Sequence, residues 1–581
     1  MGLEDYWGVG PKTAALLRDS LGEQRAVEAI EAVDARTLAD AGLSRGRATR
    51  ILRRVAGREG MNLLATRDAR AVYRDLVSLV ESYAVTERAA DRLRVLTPLT
   101  DRGAIEARLD ETMDAVSAWR GLDDATREAV QAAFEDHAGG EVEAVETALA
   151  LLDADVAEGP FGPLASLDRD ALAAAATALR ALGEDGRVGE GADDELDRLR
   201  AALGGVEDLA ADPAGILEAV QGSARDASGF RDAVRQHVTR ETVVEEELVR
   251  EALPREAADA DAFVTETLRS VTRGLRERVD ERERAVRERL EGDVEAARED
   301  VDRAVATVDD IAFQVSLARF ADAFDLTRPG FAPPGTDRLA VRGARNLGLL
   351  ASGRDVQPVD YGLGDHTLDG TAPTGDRVSV LTGANSGGKT TLLETLAEVA
   401  LLAHMGLPVP AEEAQVSEVD SLVFHRRHAS FNAGVLESTL RSVIPPLTSG
   451  GSTLMLVDEF EAITEPGSAA DLLHGLVTLT VERGALGTFV THLAEDLEPL
   501  PDVARTDGIF AEGLTPDLEL EVDYQPRFET LGRSTPEFIV SRLVAEARDA
   551  SERQGFETLA AAVGQEAVQR TLADARWTEE G

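Results

Sequence analysis

The sequence predicts a multidomain protein of the α and α/β classes. A small N-terminal module of paired short helices precedes a long helical middle region, and a C-terminal α/β domain carries a mostly parallel sheet. Three observations support this. Residues 61 to about 330 are rich in Ala, Leu, Arg and Glu and poor in aromatics. After Pro254, apolar residues recur three, four or seven apart, which is the spacing of one helix face. Beyond about residue 331, short apolar runs alternate with helical segments, the order of a parallel sheet. The expected boundaries are therefore 1–60, 61–330 and 331–581.

Composition narrows the class further. The chain has 581 residues, 43% of them hydrophobic, enough for several folded cores. No apolar run approaches the roughly 20 residues needed to span a bilayer. The opening MGLEDYWGVG lacks the basic and apolar regions of a signal peptide, so a cytoplasmic location is expected. With no cysteine, disulfides, thiolate metal sites and cysteine nucleophiles are excluded. The net charge is -47, from 61 Lys+Arg against 108 Asp+Glu. Only Lys12 and Lys389 are lysines, so 59 of the cations are arginines. An acidic, nearly lysine-free surface is expected of a halophilic protein, solvated in a high-salt cytoplasm. Each of the two lysines falls in a motif, which points to sites that take a compact ammonium and not a wide guanidinium.

The N-terminal 60 residues depart from the acidic average. They hold ten cations and nine acids, a net of +1, so the remainder carries -48. From Arg45 to Arg58 there are six arginines and no acid. Gly8-Val9-Gly10 followed by Pro11-Lys12-Thr13 has the Gly-apolar-Gly turn of a helix-hairpin-helix. Gly42-Leu43-Ser44-Arg45-Gly46-Arg47 is a weaker second copy. Such a turn aims backbone N–H groups and a helix N-terminus at phosphate. Gly8, Gly10, Lys12, Arg45, Arg47 and Arg50 are thus candidate contacts to the DNA backbone. Two other readings remain: a protein-binding helical hairpin, and arginines paired with acids of a neighbouring domain.

In the middle region, the Gly- and Asp-rich stretch 183–214 is expected to form loops. From Val264 to Val308 the apolar stripe predicts a long helix, about 105 Å if unbroken over 255–324. Gly274 and Gly292 are its expected weak points. It reads either as a lever arm or as a pair of bundle helices.

In the C-terminal domain, strands are expected at 377–382, 452–457 and 487–491. The first leads into Gly383-Ala384-Asn385-Ser386-Gly387-Gly388-Lys389-Thr390, which fits G-x-x-x-x-G-K-[ST], with Thr391 opening the following helix. Glycines let backbone N–H groups close around phosphate, Lys389 reaches the β- and γ-phosphates of ATP, and Thr390 ligates Mg²⁺. The second run, Leu454-Met455-Leu456-Val457, ends in Asp458 and Glu459. Asp458 is placed to hold Mg²⁺ and Glu459 to activate the attacking water. Thr491-His492 ends the third, where His492 would contact the γ-phosphate; a locally satisfied histidine is the alternative.

These residues carry a family resemblance. From about Asp310 to Leu543 the chain resembles the core-to-ATPase portion of MutS proteins. The segment LTGANSGGKTTLLETLAEVALLAHMGLPVPA resembles the MutS Walker A segment and its helix, MLVDEF the Walker B segment, and FVTHLAEDL the histidine motif. STPEFIVSRLV resembles the helix through which MutS ATPase domains pair, which implies a homodimer. Phe331 matches the aromatic that stacks on adenine in the family. The resemblance implies an ABC-like ATPase fold with ATP and Mg²⁺ as cofactors. Three departures stand out. Arg345-Asn346-Leu347 replaces an Arg-His-Pro turn, and Phe460-Glu461-Ala462-Ile463 replaces a Gly-Arg-Gly-Thr loop. The stretch Asn432–Glu437 stands where the partner-completing signature is expected. A hairpin pair stands where MutS carries its mismatch-reading domain, and about forty residues follow STPEF, too few for a nuclease domain. The layout is similar to the archaeal subfamily related to the second bacterial MutS class, for which ATP hydrolysis with DNA binding free of mismatch specificity is implied. The alternative function is an ATP-driven structural or interaction protein acting on RNA, ribosomes or a protein partner.

Overall fold

The computed structural model describes residues 3–563 apart from 7, 32–33, 58, 136–138, 184–186, 222–226, 371, 384–387, 428–432, 464–465, 515–519, 533–539, 541–542, 545–546 and 548–549. It is helix-rich, with mixed sheets that include parallel strands. Two compact units are present. One comprises residues 1–127, 158–161 and 309–581; the other comprises 128–157 and 162–308.

The first unit begins with helices Pro11–Leu21, Glu23–Glu31, Ala35–Asp40 and Arg45–Ala56 around a core that includes Leu17, Ile30, Leu38, Ile51 and Leu52. The two glycine turns are disposed alike. Gly8 (φ 83°) precedes the first helix and Gly42 (φ 96°) the fourth. Gly8 lies beside Ile51 and Gly42 beside Leu16, so each turn packs on the helix that follows the other. Arg47 donates to Thr13 Oγ1 at 2.6 Å, joining equivalent positions of the two copies.

Among the described residues, ten strands follow: β1 (Gly330–Phe331), β2 (Arg338–Ala344), β3 (Val359–Gly364), β4 (Val378–Gly383), β5 (Glu413–Val416), β6 (Ser421–His425), β7 (Thr453–Asp458), β8 (Leu486–Val490), β9 (Ala504–Leu514) and β10 (Leu520–Arg527). Six form a sheet in the order β10-β9-β4-β8-β7-β6, parallel except where β10 pairs with β9. The three predicted strands are β4, β7 and β8. Every residue of each is buried, as expected of parallel strands covered on both faces. Helices Ala433–Thr448 and Pro466–Glu482 cover one face through Val443, Leu447, Leu473 and Val477. Helix Lys389–His404 packs between the strands and helix Arg67–Glu81 and is buried nearly all round. A smaller sheet, β1-β5-β2-β3, is antiparallel at two of its three pairings.

Two polar links hold this unit together. Arg505 and Asp507 are fully sequestered: Arg505 Nε lies 3.0 Å from both carboxylate oxygens, and its Nη2 donates to Gly362 O of β3 at 2.7 Å. Ser379 of β4 also donates to Asp507, at 2.6 Å. The second link closes the sheet edge. Leu422 N donates to Leu63 O at 2.7 Å and Ala65 N to Leu422 O at 3.2 Å. Thr66 Oγ1 donates to Phe424 O at 2.6 Å, and Asp68 accepts from Arg426 N at 2.9 Å. Residues 63–68 thereby satisfy backbone groups that an open edge at β6 would expose.

The second unit departs twice from expectation. The stretch predicted as loops contains helix Asp194–Ala211. Asp193 caps it by accepting from Leu196 N at 3.0 Å, acids fill the first turn, and Leu196, Leu199, Ala202, Leu203 and Val206 form a buried or half-buried stripe. The tertiary contact of that stripe outweighs the cost of Gly204 and Gly205. The long stripe forms helix Ala260–Ala296, about 55 Å at 1.5 Å per residue. It breaks at Ala297, before helix Arg298–Ala323, and not at either glycine. Gly274 lies within van der Waals reach of Leu248, so it serves close packing. Acids Glu299 and Asp300 favour a new helix N-terminus immediately after the break.

Replacing Arg505 with Met would leave Asp507 buried and without its cation. The expected cost is about 3 kcal/mol, read as a lower midpoint in thermal or denaturant unfolding of the full chain.

Candidate active site

The order β4-β8-β7 brings three chain segments together at the C-terminal ends of parallel strands, where side chains and helix N-termini converge on a crevice. β4 ends at Gly383 (φ 127°), whose backbone crosses so close to β9 that a Cβ would lie 2.0 Å from Ile509 O. Residues 384–387, named above as phosphate contacts, lie outside the described residues. Gly388 (φ 77°) then caps helix Lys389–His404, turning its N-terminus into the crevice.

Lys389 is buried, and its Nζ donates to Gly383 O at 3.0 Å. Burial pulls its pKa down, opposed by the nearby carboxylates of Glu459, Asp458 and Glu461. Thr390 Oγ1 donates to Asp458 Oδ2 at 2.7 Å, tying the helix after β4 to the end of β7. Asp458 is 3% exposed, and its Oδ1 is buried with no hydrogen-bond partner among the described residues. Burial raises its pKa, with the Thr390 hydrogen bond opposing. An unmatched carboxylate oxygen beside a hydroxyl is a donor set that fits a Mg²⁺ ion, which takes few protein ligands and completes its shell with water and phosphate oxygens.

Glu459 adopts φ 41°, unusual for a residue with a side chain, and its N–H is fixed by Val490 O of β8 at 3.0 Å. This turn swings the carboxylate away from Asp458. Its Oε1 lies 3.1 Å from His492 Nε2, and its Oε2 accepts from Arg427 at 2.7 Å. The His492 hydrogen bond lowers its pKa, against burial and with help from the charges of His492, Arg427 and Lys389. His492 is itself held: Glu461 Oε1 accepts from His492 N at 2.7 Å and from Thr491 Oγ1 at 2.9 Å.

The crevice opens into a cavity of about 780 Å³. Gly388, Lys389, Thr390, Thr391, Asp458 and Glu459 line one end. Asn346, Leu349, Val359 and the 354–357 segment also line it, with Tyr524 from β10 beside Gly388. Phe331, expected to stack on a base, does not line this cavity. It lies in β1, with the Arg102 guanidinium 4.3 Å from its ring centroid. The sequence did not single out Arg427, Glu461 or Tyr524. An arginine doublet directly after the β6 apolar run was a signal for Arg427, and an acid two residues beyond Glu459 was one for Glu461. Tyr524 gave none, because β10 meets the site only through the sheet order.

Away from this cavity, Lys12, Arg45, Arg47 and Arg50 are all exposed on the N-terminal helices. None of them forms an ion pair with a described acid. Arg53 instead turns inward, donating to Arg94 O at 2.6 Å and lying over the Tyr73 ring.

Residues 379–444 match the family described as MutS domain V. The chain is 45% identical over 193 residues to the DNA-binding protein MutS2 of Pyrococcus furiosus, covering 33% of this chain and 34% of that protein. It is 31% identical over 195 residues to the endonuclease MutS2 of Thermomicrobium roseum, covering 32% and 22%. It is 30% identical over 196 residues to the mitochondrial DNA mismatch repair protein MSH1 of Arabidopsis thaliana, covering 29% and 16%. The chain thus spans about a third or less of the length of these relatives.

One buried acid beneath the cavity makes stability depend on pH. Burial pushes the Glu398 carboxyl up to about 8, with Leu347 N–H and Arg426 opposing and Glu394 adding to the rise. The folded state then keeps a proton that the unfolded chain, near 4.5, releases. Stability is expected to fall by about 1 kcal/mol per pH unit as pH rises from about 5 to 8. In Glu398→Gln that contribution to the slope disappears, as measured by unfolding midpoints across this range.

Proposed function

We propose that this chain, a MutS2-like member of the MutS family, is a Mg²⁺-dependent ATPase that binds DNA through its backbone without reading mismatches. The observation that carries the ATPase reading is the convergence of Lys389, Thr390, Asp458 and Glu459 on one cavity. Phosphates of ATP lie at the N-terminus of helix Lys389–His404, where free N–H groups and the helix dipole favour anions. Lys389, buried at the start of that helix, faces the β- and γ-phosphates. Thr390 and Asp458 would hold Mg²⁺, which would supply positive charge to the phosphate oxygens. Glu459 orients water in line with the γ-phosphorus and takes its proton as the new P–O bond forms and the bond to ADP breaks. His492 steadies the Glu459 carboxylate through the 3.1 Å contact, and Glu461 holds His492 in place.

The DNA reading rests on the paired turns and on Lys12, Arg45, Arg47 and Arg50, exposed in a chain of net charge -47. Turn N–H groups and arginines recognise phosphates, so contact is independent of base sequence. The P. furiosus relative is a DNA-binding protein by name, which agrees with this reading. Pairing of two such ATPase domains into a homodimer belongs to the same proposal. Asn432 of the stretch Asn432–Glu437, and residues 534–539 and 541–542 of STPEFIVSRLV, which bear on it, lie outside the described residues.

Glu459→Gln should retain ATP binding and lose turnover by about a hundredfold or more, measured as phosphate release in high KCl. Unchanged turnover would remove Glu459 from the role of base. Replacing Arg45 and Arg50 with Gln should weaken binding to matched and mismatched duplexes equally. The log–log salt slope should also become shallower by about 0.9 for each phosphate that is no longer neutralised. A wild-type preference for the mismatched duplex would contradict the absence of mismatch reading. No DNA binding at any salt would favour an RNA or protein partner.

A further inference from the structure

The cavity has two chemically distinct parts. Gly388, Lys389 and Thr390 serve phosphate, so whatever lies beyond the phosphates of a nucleotide meets Asn346, Leu349, Val359 and their neighbours. Asn346 and Leu349 of that wall belong to the short helix Leu347–Ala351 and its cap, Asn346. Asn346 Oδ1 accepts from Leu349 N at 2.9 Å, which closes the cap. The N–H of Leu347, first in that helix and buried, has no partner within the helix.

Glu398 supplies that partner. Its Oε2 accepts from Leu347 N at 3.0 Å, and Asn346 Nδ2 lies 3.4 Å from each of its oxygens. Thr395, one turn earlier on the same helix, meets Asn346 Nδ2 at 3.3 Å and itself lines the cavity. Glu398 is 7% exposed and flanked by Leu396, Ala397, Val399 and Ala400, where an apolar side chain would be the ordinary choice. Behind the wall lies a separate cavity of about 300 Å³, lined by Asn346, Leu347, Glu394, Glu398 and Arg426 with residues of helix Arg67–Glu81. The wall therefore has space to retreat into. Hydrogen bonds to the P-loop helix hold it forward, and close packing from behind does not.

We infer that Glu398 is a positioning residue for the nucleoside half of the nucleotide, pinning the Asn346–Leu349 wall to the helix that carries Lys389 and Thr390. The inference rests on the nucleotide reading above and adds a division of labour within that site. Its signature is selective. Loss of the pin moves the wall and leaves the phosphate end in place, because Gly388 and Lys389 are fixed by β4 and by the helix itself.

The test is calorimetric titration of the full chain, in high KCl with Mg²⁺, using ATP and inorganic tripolyphosphate as separate probes. In Glu398→Met, an unbranched apolar replacement, the ATP Kd should rise about tenfold as buried donors lose their acceptor. The tripolyphosphate Kd should stay within about twofold of wild type. Glu398→Gln keeps an acceptor for Leu347 N–H and should restore ATP binding to within about threefold. Asn346→Ala cuts the same link from the other side and should show the same selectivity, which covers the case in which the Met variant does not fold. An unchanged ATP Kd in both Glu398→Met and Asn346→Ala would overturn the inference, as would parallel weakening of ATP and tripolyphosphate. If the wild-type chain bound neither probe, the nucleotide reading itself would fall, an outcome separate from any difference between variants.

Discussion

The hydrogen bond from Thr390 to Asp458 is the constraint around which the crevice is built. It joins two strand ends that are not adjacent: β4, which delivers Thr390, and β7, which ends in Asp458, with β8 between them. Only a parallel arrangement places all three C-terminal ends on one side. β8 then contributes Val490, which fixes the Glu459 backbone, and leads directly into His492, which meets the Glu459 side chain. Without that strand order, Lys389, Asp458 and His492, about seventy and thirty residues apart, have no reason to meet.

Burying charge at such a place is costly, and the neighbourhood shows how the cost is offset. Lys389 is surrounded by the carboxylates of Asp458, Glu459 and Glu461, which oppose the effect of burial on the ammonium. Glu459 is satisfied by Arg427 and His492. Asp458 Oδ1 and Glu461 Oε2 are buried without a partner among the described residues, and the Asp458 carboxylate lies beside the Thr390 hydroxyl, a donor set that suits a divalent cation. The same logic governs the Arg505–Asp507 pair below the site. There both charges are matched internally and the pair serves to join the two sheets.

Hydrogen bonds at several points tie the N-terminal module and the segment after it to the rest of this unit. Arg53 anchors the module to Arg94 O, residues 63–68 close the β6 edge, and β6 leads straight to Arg426 and Arg427. Arg427 holds the Glu459 carboxylate. Glu398, on helix Lys389–His404, lines the smaller cavity together with residues of helix Arg67–Glu81.

What the sequence determined by itself was whatever depends on local spacing. The apolar runs of β4, β7 and β8, the glycines and Lys389 before a helix, the Asp458–Glu459 pair and the stripe of helix Ala260–Ala296 all follow from neighbours within a few residues. The two glycine turns at Gly8 and Gly42 follow in the same way. Tertiary structure decided the rest, because it depends on partners distant in the chain. Helix Asp194–Ala211 forms in a Gly- and Asp-rich stretch because its apolar stripe finds a core. Phe331 is drawn to Arg102 and away from the cavity, while Tyr524 is brought to it by the antiparallel β9–β10 pairing. Glu398 looks like a misplaced acid in an apolar helix until Leu347, 51 positions earlier, presents an N–H that no residue near it can satisfy. Local periodicity carries no record of such pairings; burial enforces them, since a polar group removed from water must find its partner wherever the fold has brought one.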